Sequence, residues 1–153
     1  MKKHVVIVGA GFAGLELAAR LSDSVADAAR VTLIDRNDSF YFGFSKLDVL
    51  LGRQVPAEVL LPYGEITKPA VEFRQEIVRS IDPLRRHVLT DGGRYEADFL
   101  AVALGAEYDF AATPGFEEGG FEYYSLAGAE RLRDALPQFE SGTIVIGILG
   151  HPF

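Results

Sequence analysis

Three glycines near the amino terminus have the spacing of a dinucleotide-binding turn. Gly9, Gly11 and Gly14 are the first, third and sixth residues of a six-residue window that follows the β-branched residues 5–8. In this pattern the first glycine permits a tight turn, the second leaves room for a pyrophosphate, and the third lets a helix lie close to the strand. The phosphates would lie at the helix amino terminus, where free N–H groups favour negative charge. A strand-to-helix turn without a ligand is the alternative.

An acidic residue closes the next predicted strand. Asp35 closes the strand-like run 31–34 and stands about 20 residues beyond the third glycine, where dinucleotide-binding folds carry the acid that binds ribose. Its carboxylate would accept hydrogen bonds from both ribose hydroxyls of an adenosine and would repel a 2′-phosphate. An ordinary acid at the end of a strand is the alternative. Arg36 would stack on adenine or reach a phosphate, or would be a solvated cation.

A sheet with a flanking helix is needed to hold these residues. The spacing of Leu15, Ala18 and Leu21 predicts a helix that begins directly after Gly11. The stretch 97–104 is nearly all apolar and predicts a strand buried on both faces, as in a parallel sheet. Gly105 would let backbone approach a ligand there, or would simply end the strand. The predicted elements are strand 5–8, helix 12–22, strand 30–35, strand 69–73 and strand 97–104.

The middle of the chain has a different pattern. Three short strand-like runs, 76–81, 86–90 and 94–96, are separated by turn residues at 82–83 and 91–93. Short strands joined by turn residues pair with their neighbours in the chain. We therefore predict an antiparallel meander.

Several other segments carry weaker signals. Four aromatic residues at positions 40, 41, 42 and 44 need a packing partner, and we expect the protein core rather than a planar ligand. A short helix is predicted over 47–51, ending at Gly52. Ser125 is predicted to cap a helix that carries Leu126, Ala129 and Leu132 and is stopped by Pro137. Residues 142–147 are predicted as one more strand.

Composition excludes several classes of function. The 153 residues carry a formal charge of −7 and no clustered basic patch, which argues against a nucleic-acid partner. The chain has no cysteine, so thiol redox chemistry, a disulfide and a thiolate metal site are excluded within it. Its three histidines are isolated in sequence, and we expect no metal site. No stretch approaches the roughly 20 apolar residues of a membrane helix, and we expect a cytoplasmic protein, at most peripheral to a membrane.

These elements together predict an α/β fold. We expect a Rossmann-like domain over residues 1–140 with a parallel sheet, flanking helices and the meander inserted at about 76–96. Residues 141–153 would be the first strand of a truncated second dinucleotide-binding domain. An apolar strand without its sheet would favour a homodimer or strand exchange.

Four motifs in this order resemble a known family of flavoproteins. They are G-A-G-F-A-G-L-E at 9–16, L-I-D-R-N-D at 33–38, I-D-P at 81–83 and A-L-G-A at 103–106. Together they are similar to the amino-terminal part of the FAD-dependent pyridine nucleotide-disulfide oxidoreductases. The branch that they resemble contains sulfide:quinone oxidoreductases, flavocytochrome c sulfide dehydrogenase and type II NADH dehydrogenases.

The resemblance implies FAD as the cofactor and gives the candidate residues their roles. The glycine turn would hold the pyrophosphate, Asp35 the adenosine ribose, and the strand around Val78 the adenine through backbone groups. Ser45 and Lys46 lie on a loop that approaches the isoalloxazine in relatives. Leu104 replaces the usual threonine of the second flavin-contacting motif. The cofactor-binding candidates are Gly9, Gly11, Phe12, Ala13, Gly14, Asp35, Arg36, Ser45, Lys46, Val78, Ala103, Leu104 and Gly105.

The resemblance also implies the reaction, with two departures. Electrons would pass from a small-molecule donor, sulfide-like or NAD(P)H, to a quinone or cytochrome-type acceptor. Relatives that oxidise sulfide use cysteines, and relatives continue into further domains. We therefore expect a fragment that lacks a complete active site by itself, and we name no catalytic residue. The nucleotide domain of an NAD-dependent dehydrogenase and a non-catalytic nucleotide-binding module are the alternatives.

Overall fold

A computed structural model describes residues 2–68 and 70–148, and the chain divides into two compact units. The first unit comprises Met1–Tyr41 and Leu60–Ala112, and the second comprises Phe42–Val59 and Thr113–Phe153. No helix in the described ranges combines the length and the apolar character needed to cross a bilayer. Each unit is described below by itself.

The first unit is built on a four-stranded parallel sheet. Its strands are β1 (Lys3–Val8), β2 (Ala29–Asp35), β5 (Val71–Gln75) and β9 (Phe99–Val102), in the order β5-β2-β1-β9. Helix α1 (Phe12–Val25) connects β1 to β2 and extends three residues beyond its predicted end. This arrangement confirms the predicted α/β class.

The two faces of this sheet bury alternate residues of β1. Val5 and Ile7 belong to a cluster against which Leu15, Leu17 and Leu21 of α1 pack. Val6 and Val8 face the opposite way and share a cluster with Val88 and Ala97 of the meander region. Because successive side chains of a strand point to opposite faces, the uninterrupted apolar run supplies both layers.

The meander is formed as predicted. Strands β6 (Val78–Asp82), β7 (His87–Thr90) and β8 (Arg94–Glu96) pair antiparallel in chain order. The β6–β7 turn is closed by Asp82, whose Oδ1 accepts the Arg85 N–H at 2.9 Å. The β7–β8 turn includes Gly93 at φ 151°, a left-handed conformation that favours glycine.

Strand β9 corrects one prediction. It is shorter than the predicted 97–104, and Phe99 and Val102 are 59% and 57% exposed, so burial on both faces was wrong. The sheet order places β9 at an edge, where its only paired neighbour in the described residues is β1. An edge strand is covered less completely than a central one, whatever its own composition.

The aromatic segment is divided between core and surface. Strand β3 (Ser39–Tyr41) pairs antiparallel with β4 (Leu60–Pro62), and Phe40 packs on the core with its ring edge-to-face to Phe12 at 5.2 Å. Phe42 and Phe44, in the second unit, are 49% and 73% exposed, so core packing was wrong for these two. Their rings contact each other instead, with centroids 5.8 Å apart.

Short helices complete the described elements. In the first unit they are α4 (Tyr63–Ile66) and the 3-10 turn Phe110–Ala112. In the second unit they are α2 (Ser45–Leu50), α3 (Pro56–Val59), α5 (Phe116–Gly119), α6 (Leu126–Ala135) and the 3-10 turn Leu136–Gln138. The predicted cap of α6 is confirmed, because the Ser125 Oγ accepts the Gly128 N–H at 2.9 Å.

The strand predicted over 142–147 is not formed. The described residues 142–148 are irregular, and Val145 and Ile146 are 86% and 80% exposed. A strand needs a partner for its backbone N–H and C=O groups, and this segment pairs with no strand within the described ranges. Residues 149–153 lie outside the described residues, as does Pro69 at the start of the predicted strand 69–73.

Candidate nucleotide-binding site

The turn after β1 is held tightly by backbone packing. Gly9 has φ 98°, and its N–H donates to the Ile34 carbonyl at 2.8 Å. A Cβ on Gly9 would clash with the Ala103 carbonyl oxygen and lie 2.7 Å from its carbon. A Cβ on Gly14 would clash with the Gly9 carbonyl oxygen and lie 3.0 Å from its carbon. The predicted tight turn and close helix–strand approach are therefore both present.

Gly11 differs from the other two glycines. It is exposed, it has φ −74° and ψ −163°, and a Cβ there would meet nothing within 4 Å. It occupies the N-cap of α1 and makes no side-chain capping bond. Serine is a better N-cap than glycine in this extended conformation. The fold therefore does not require glycine at this position, whereas a ligand lying against the backbone does.

Asp35 contacts the glycine turn directly. Its Oδ2 accepts the Ala10 N–H at 2.7 Å, and its Oδ1 accepts the backbone N–H and the side-chain N–H of Asn37 at 2.9 and 3.0 Å. The carboxylate is thus fixed at the end of β2 beside the turn. It has room for roughly four hydrogen bonds, so an incoming hydroxyl can use the remaining capacity or replace the Asn37 side chain.

Tyr63 contacts the same turn from the protein interior. Its hydroxyl donates to the Ala10 carbonyl at 2.9 Å, and the side chain is 3% exposed. Burial, with smaller contributions from Asp35 and Asp38, raises the pKa of the phenol above its ordinary value. Tyr63 therefore stays protonated and acts as a donor at neutral pH.

The end of β9 lies against the glycine turn. The Ala103 N–H donates to the Val8 carbonyl at 2.7 Å and continues the pairing of β9 with β1. Leu104 is 64% exposed, and Gly105 has φ 72° with open space around its Cα. Ala103, Leu104 and Gly105, the predicted second flavin-contacting motif, therefore lie at the same edge of the sheet as the glycine turn.

The entrance to β6 lies beside the end of β2. The Glu76 N–H donates to the Asp35 carbonyl at 2.9 Å, two residues before Val78. Val78 pairs with Thr90 and packs partly buried on the meander face of the core. Arg36 is exposed, and its carbonyl accepts a long bond from the Gln75 side chain at 3.4 Å.

Ser45 and Lys46 belong to the second unit. They form the first turn of α2, so their placement on a loop was wrong. The Lys46 ammonium donates to the Tyr124 carbonyl and lies 4.4 Å from the centre of the Tyr124 ring. Burial lowers the pKa of Lys46, and the nearby Glu122 partly opposes that shift.

Two residues at the site, Asn37 and Tyr63, are not among the residues predicted from the sequence. Asn37 carries a local signal, because an aspartate commonly accepts the N–H two residues further on. Tyr63 carries no such signal, since it lies 53 residues from Ala10.

Histidine and acidic side chains outside this site are metal ligands by type, but His4 makes structural hydrogen bonds. The His4 ring nitrogens lie 2.8 Å from the Glu96 carbonyl and 2.9 Å from the Thr32 hydroxyl. Across residues 2–68 and 70–148, no three His, Asp or Glu side chains are grouped to hold a metal ion.

The parallel sheet, the glycine turn with its carboxylate, and the meander define a Rossmann-like dinucleotide-binding fold. The sequence model of the family described as pyridine nucleotide-disulphide oxidoreductase matches residues 3–148, and the chain belongs to this family. The predicted family is thereby confirmed.

Two individual relatives are an NADH:quinone and a sulfide:quinone oxidoreductase. The chain is 32% identical over 133 residues to the type II NADH:quinone oxidoreductase of Staphylococcus saprophyticus, covering 86% of this chain and 33% of that protein. It superposes on the sulfide:quinone oxidoreductase of Aquifex aeolicus with a TM-score of 0.80 and 27% identity, covering 90% of this chain and 32% of that one.

A third match supports the fold alone. The water-forming NADH oxidase of Lactobacillus brevis superposes with a TM-score of 0.73 at 20% identity, over 90% of this chain and 33% of that one. The chain spans about a third of the length of the relatives that it matches.

Proposed function

We propose that the first unit binds FAD and that the turn of Gly9, Gly11 and Gly14 receives its pyrophosphate. The observation that carries this proposal is the open backbone at Gly11, where the fold itself gives no reason for a glycine. The first turn of α1 adds N–H groups that have no partner within the helix. Helix α1 has 14 residues, and the partial positive charge at its amino terminus suits the negative charge of a diphosphate.

Asp35 is proposed to bind the adenosine ribose. Its carboxylate lies at the end of β2 and already contacts the turn through the Ala10 N–H. A fixed negative charge there favours an unphosphorylated ribose over a 2′-phosphorylated one. Arg36, exposed next to it, is proposed to meet the adenine or a phosphate.

The remaining cofactor contacts follow from the family pattern. Phe12 and Ala13 begin α1 and would supply backbone to the phosphates, and Val78 would supply backbone to the adenine. Ala103, Leu104 and Gly105 would lie along the flavin half, where Leu104 offers an apolar side chain in place of a hydroxyl. Ser45 and Lys46 are proposed as isoalloxazine contacts on the family pattern alone.

The reaction proposed for the whole protein is electron transfer from a reduced donor to a quinone or cytochrome-type acceptor. Support comes from relatives that are an NADH:quinone and a sulfide:quinone oxidoreductase. The flavin, when bound, would accept and release the electrons, and the protein would supply binding, orientation and tuning of its potential. Residues 1–140 would form the FAD domain, residues 141–153 would lead into a second domain, and this chain alone would not turn over.

The test is separate titration of the 153-residue chain with FAD and with NAD⁺, followed by flavin absorption and by binding heat. We expect FAD to be bound and NAD⁺ to bind at least tenfold more weakly. Binding of NAD⁺ alone would overturn the flavin assignment in favour of a dehydrogenase nucleotide domain.

A further inference from the structure

Tyr63 fixes the middle of the glycine turn although it lies far away in sequence. Its hydroxyl donates to the Ala10 carbonyl at 2.9 Å, and its ring packs against Phe73 with centroids 4.6 Å apart. The side chain is 3% exposed, so it belongs to the interior and not to a ligand-facing surface.

We propose that Tyr63 is a positioning residue that aims the Gly11 N–H at the phosphates of the bound nucleotide. This inference rests on the proposed function, because it concerns the same turn and the same ligand. Tyr63 itself would touch no ligand, but it would determine the direction in which the Gly11 N–H points.

One peptide group determines the direction in which the Gly11 N–H points. The Ala10 carbonyl and the Gly11 N–H belong to the same planar trans peptide and point in opposite directions. Because Tyr63 holds the carbonyl toward the buried side, the Gly11 N–H points away from the interior. Gly11 is exposed with open space beside it, so this donor points to the side from which a ligand would come.

The turn needs such a restraint because glycines flank Ala10 on both sides. Glycine has more accessible backbone conformations than any other residue, so the peptide groups around Ala10 are free to rotate unless they are held. Asp35 holds the Ala10 N–H at 2.7 Å, and Tyr63 holds the Ala10 carbonyl. With both groups fixed, the donor is oriented before binding, and less conformational entropy is lost when the phosphate arrives.

Tyr95 supplies a matched control. Its hydroxyl donates to Glu76 Oε1 at 2.8 Å, and burial together with Glu76 raises its pKa to about 12. Tyr95→Phe thus removes a hydrogen-bonded tyrosine hydroxyl, partly buried in this case, without touching the glycine turn. Tyr63→Phe removes the hydroxyl that holds the turn and keeps the ring that packs on Phe73.

The experiment compares the binding of ADP with that of adenosine in wild-type chain, Tyr63→Phe and Tyr95→Phe. We expect Tyr63→Phe to weaken ADP about tenfold, the equivalent of one hydrogen bond, while adenosine changes less than twofold. Tyr95→Phe should leave both affinities unchanged. A purely structural role for Tyr63 would weaken ADP and adenosine equally, and that result would overturn the proposal.

A second measurement does not depend on the variant folding. In the wild-type chain labelled with ¹⁵N, the Gly11 amide resonance should shift strongly on addition of ADP and little on addition of adenosine. An unmoved Gly11 resonance at saturating ADP would overturn the aiming role. A folded wild-type chain that binds neither ADP nor adenosine would contradict the proposed function itself, and the role of Tyr63 would fall with it.

Discussion

The Ala103 carbonyl group occupies the space that a side chain on Gly9 would need. A Cβ there would lie 2.7 Å from the Ala103 carbonyl carbon and 3.0 Å from the Leu104 nitrogen. The turn that leaves β1 and the turn that leaves β9 are therefore in direct backbone contact. The two motifs proposed to meet the pyrophosphate and the flavin half form one continuous edge. This backbone contact requires glycine at residue 9, and the φ of 98° there is a second reason.

Gly14→Ala is expected to destabilise the protein. The added methyl group would clash with the Gly9 carbonyl and push α1 away from β1, at a cost of about 1–3 kcal/mol in the free energy of unfolding. Urea unfolding followed by circular dichroism would measure it. Gly64→Ala is the control, because a Cβ there meets nothing within 4 Å and should cost nothing. Equal stability of the two variants would contradict the close approach of helix and strand.

Gly11→Ser is expected to separate stability from binding. Serine can cap α1 in the conformation that Gly11 already has. The free energy of unfolding should therefore stay the same or rise by about 0.3 kcal/mol. The new side chain would occupy the space proposed for the pyrophosphate, and FAD affinity should fall at least tenfold. Thermal melting and FAD titration of one sample give both values. Undiminished FAD binding would show that the space beside Gly11 is not where the phosphates lie.

The pH dependence of stability should include a contribution from Asp98. Its pKa is lowered first by the hydrogen bond from the His4 N–H at 2.8 Å and then by Lys3. A lowered folded-state pKa gives stability that is present above the usual carboxyl pKa of 3.8 and is lost as the pH falls through the folded value. Asp98→Asn should therefore melt below wild type at pH 7.

The difference between the two proteins should shrink below pH 3.8 as wild-type Asp98 becomes protonated. Melting temperatures taken from pH 7 down to the acid limit of folding would show this convergence. Asp27→Asn, at an exposed acid, controls for the loss of one negative charge. A gap that stays constant with pH would mean that Asp98 does not act through its ionised form.

Local signals in the sequence were sufficient for much of the fold. The glycine turn, the capping Ser125 and the turns of the meander depend on residues that are close in the chain, and the structure has each of them. Asp35 was predicted at the site because its position follows from the length of a helix and a strand. These features can be predicted without knowing which elements pack against each other in the fold.

The errors concern features that depend on distant partners. The exposure of Phe99 and Val102 follows from the position of β9 in the sheet, which apolar composition does not reveal. The run 142–147 has the composition of a strand, but a strand exists only when another one pairs with it. Tyr63 was missed for the same reason, since its contact with Ala10 joins residues 53 positions apart.

The most direct test of the central claim compares FAD affinity in Asp35→Asn and Asp98→Asn. Both carboxylates accept an N–H group at the ends of β1, from Ala10 at 2.7 Å and from His4 at 2.8 Å, but only Asp35 lies beside the glycine turn. We predict that Asp35→Asn weakens FAD binding at least tenfold and that Asp98→Asn leaves it unchanged once both are compared as folded protein. Equal FAD affinities in the two variants would contradict the account.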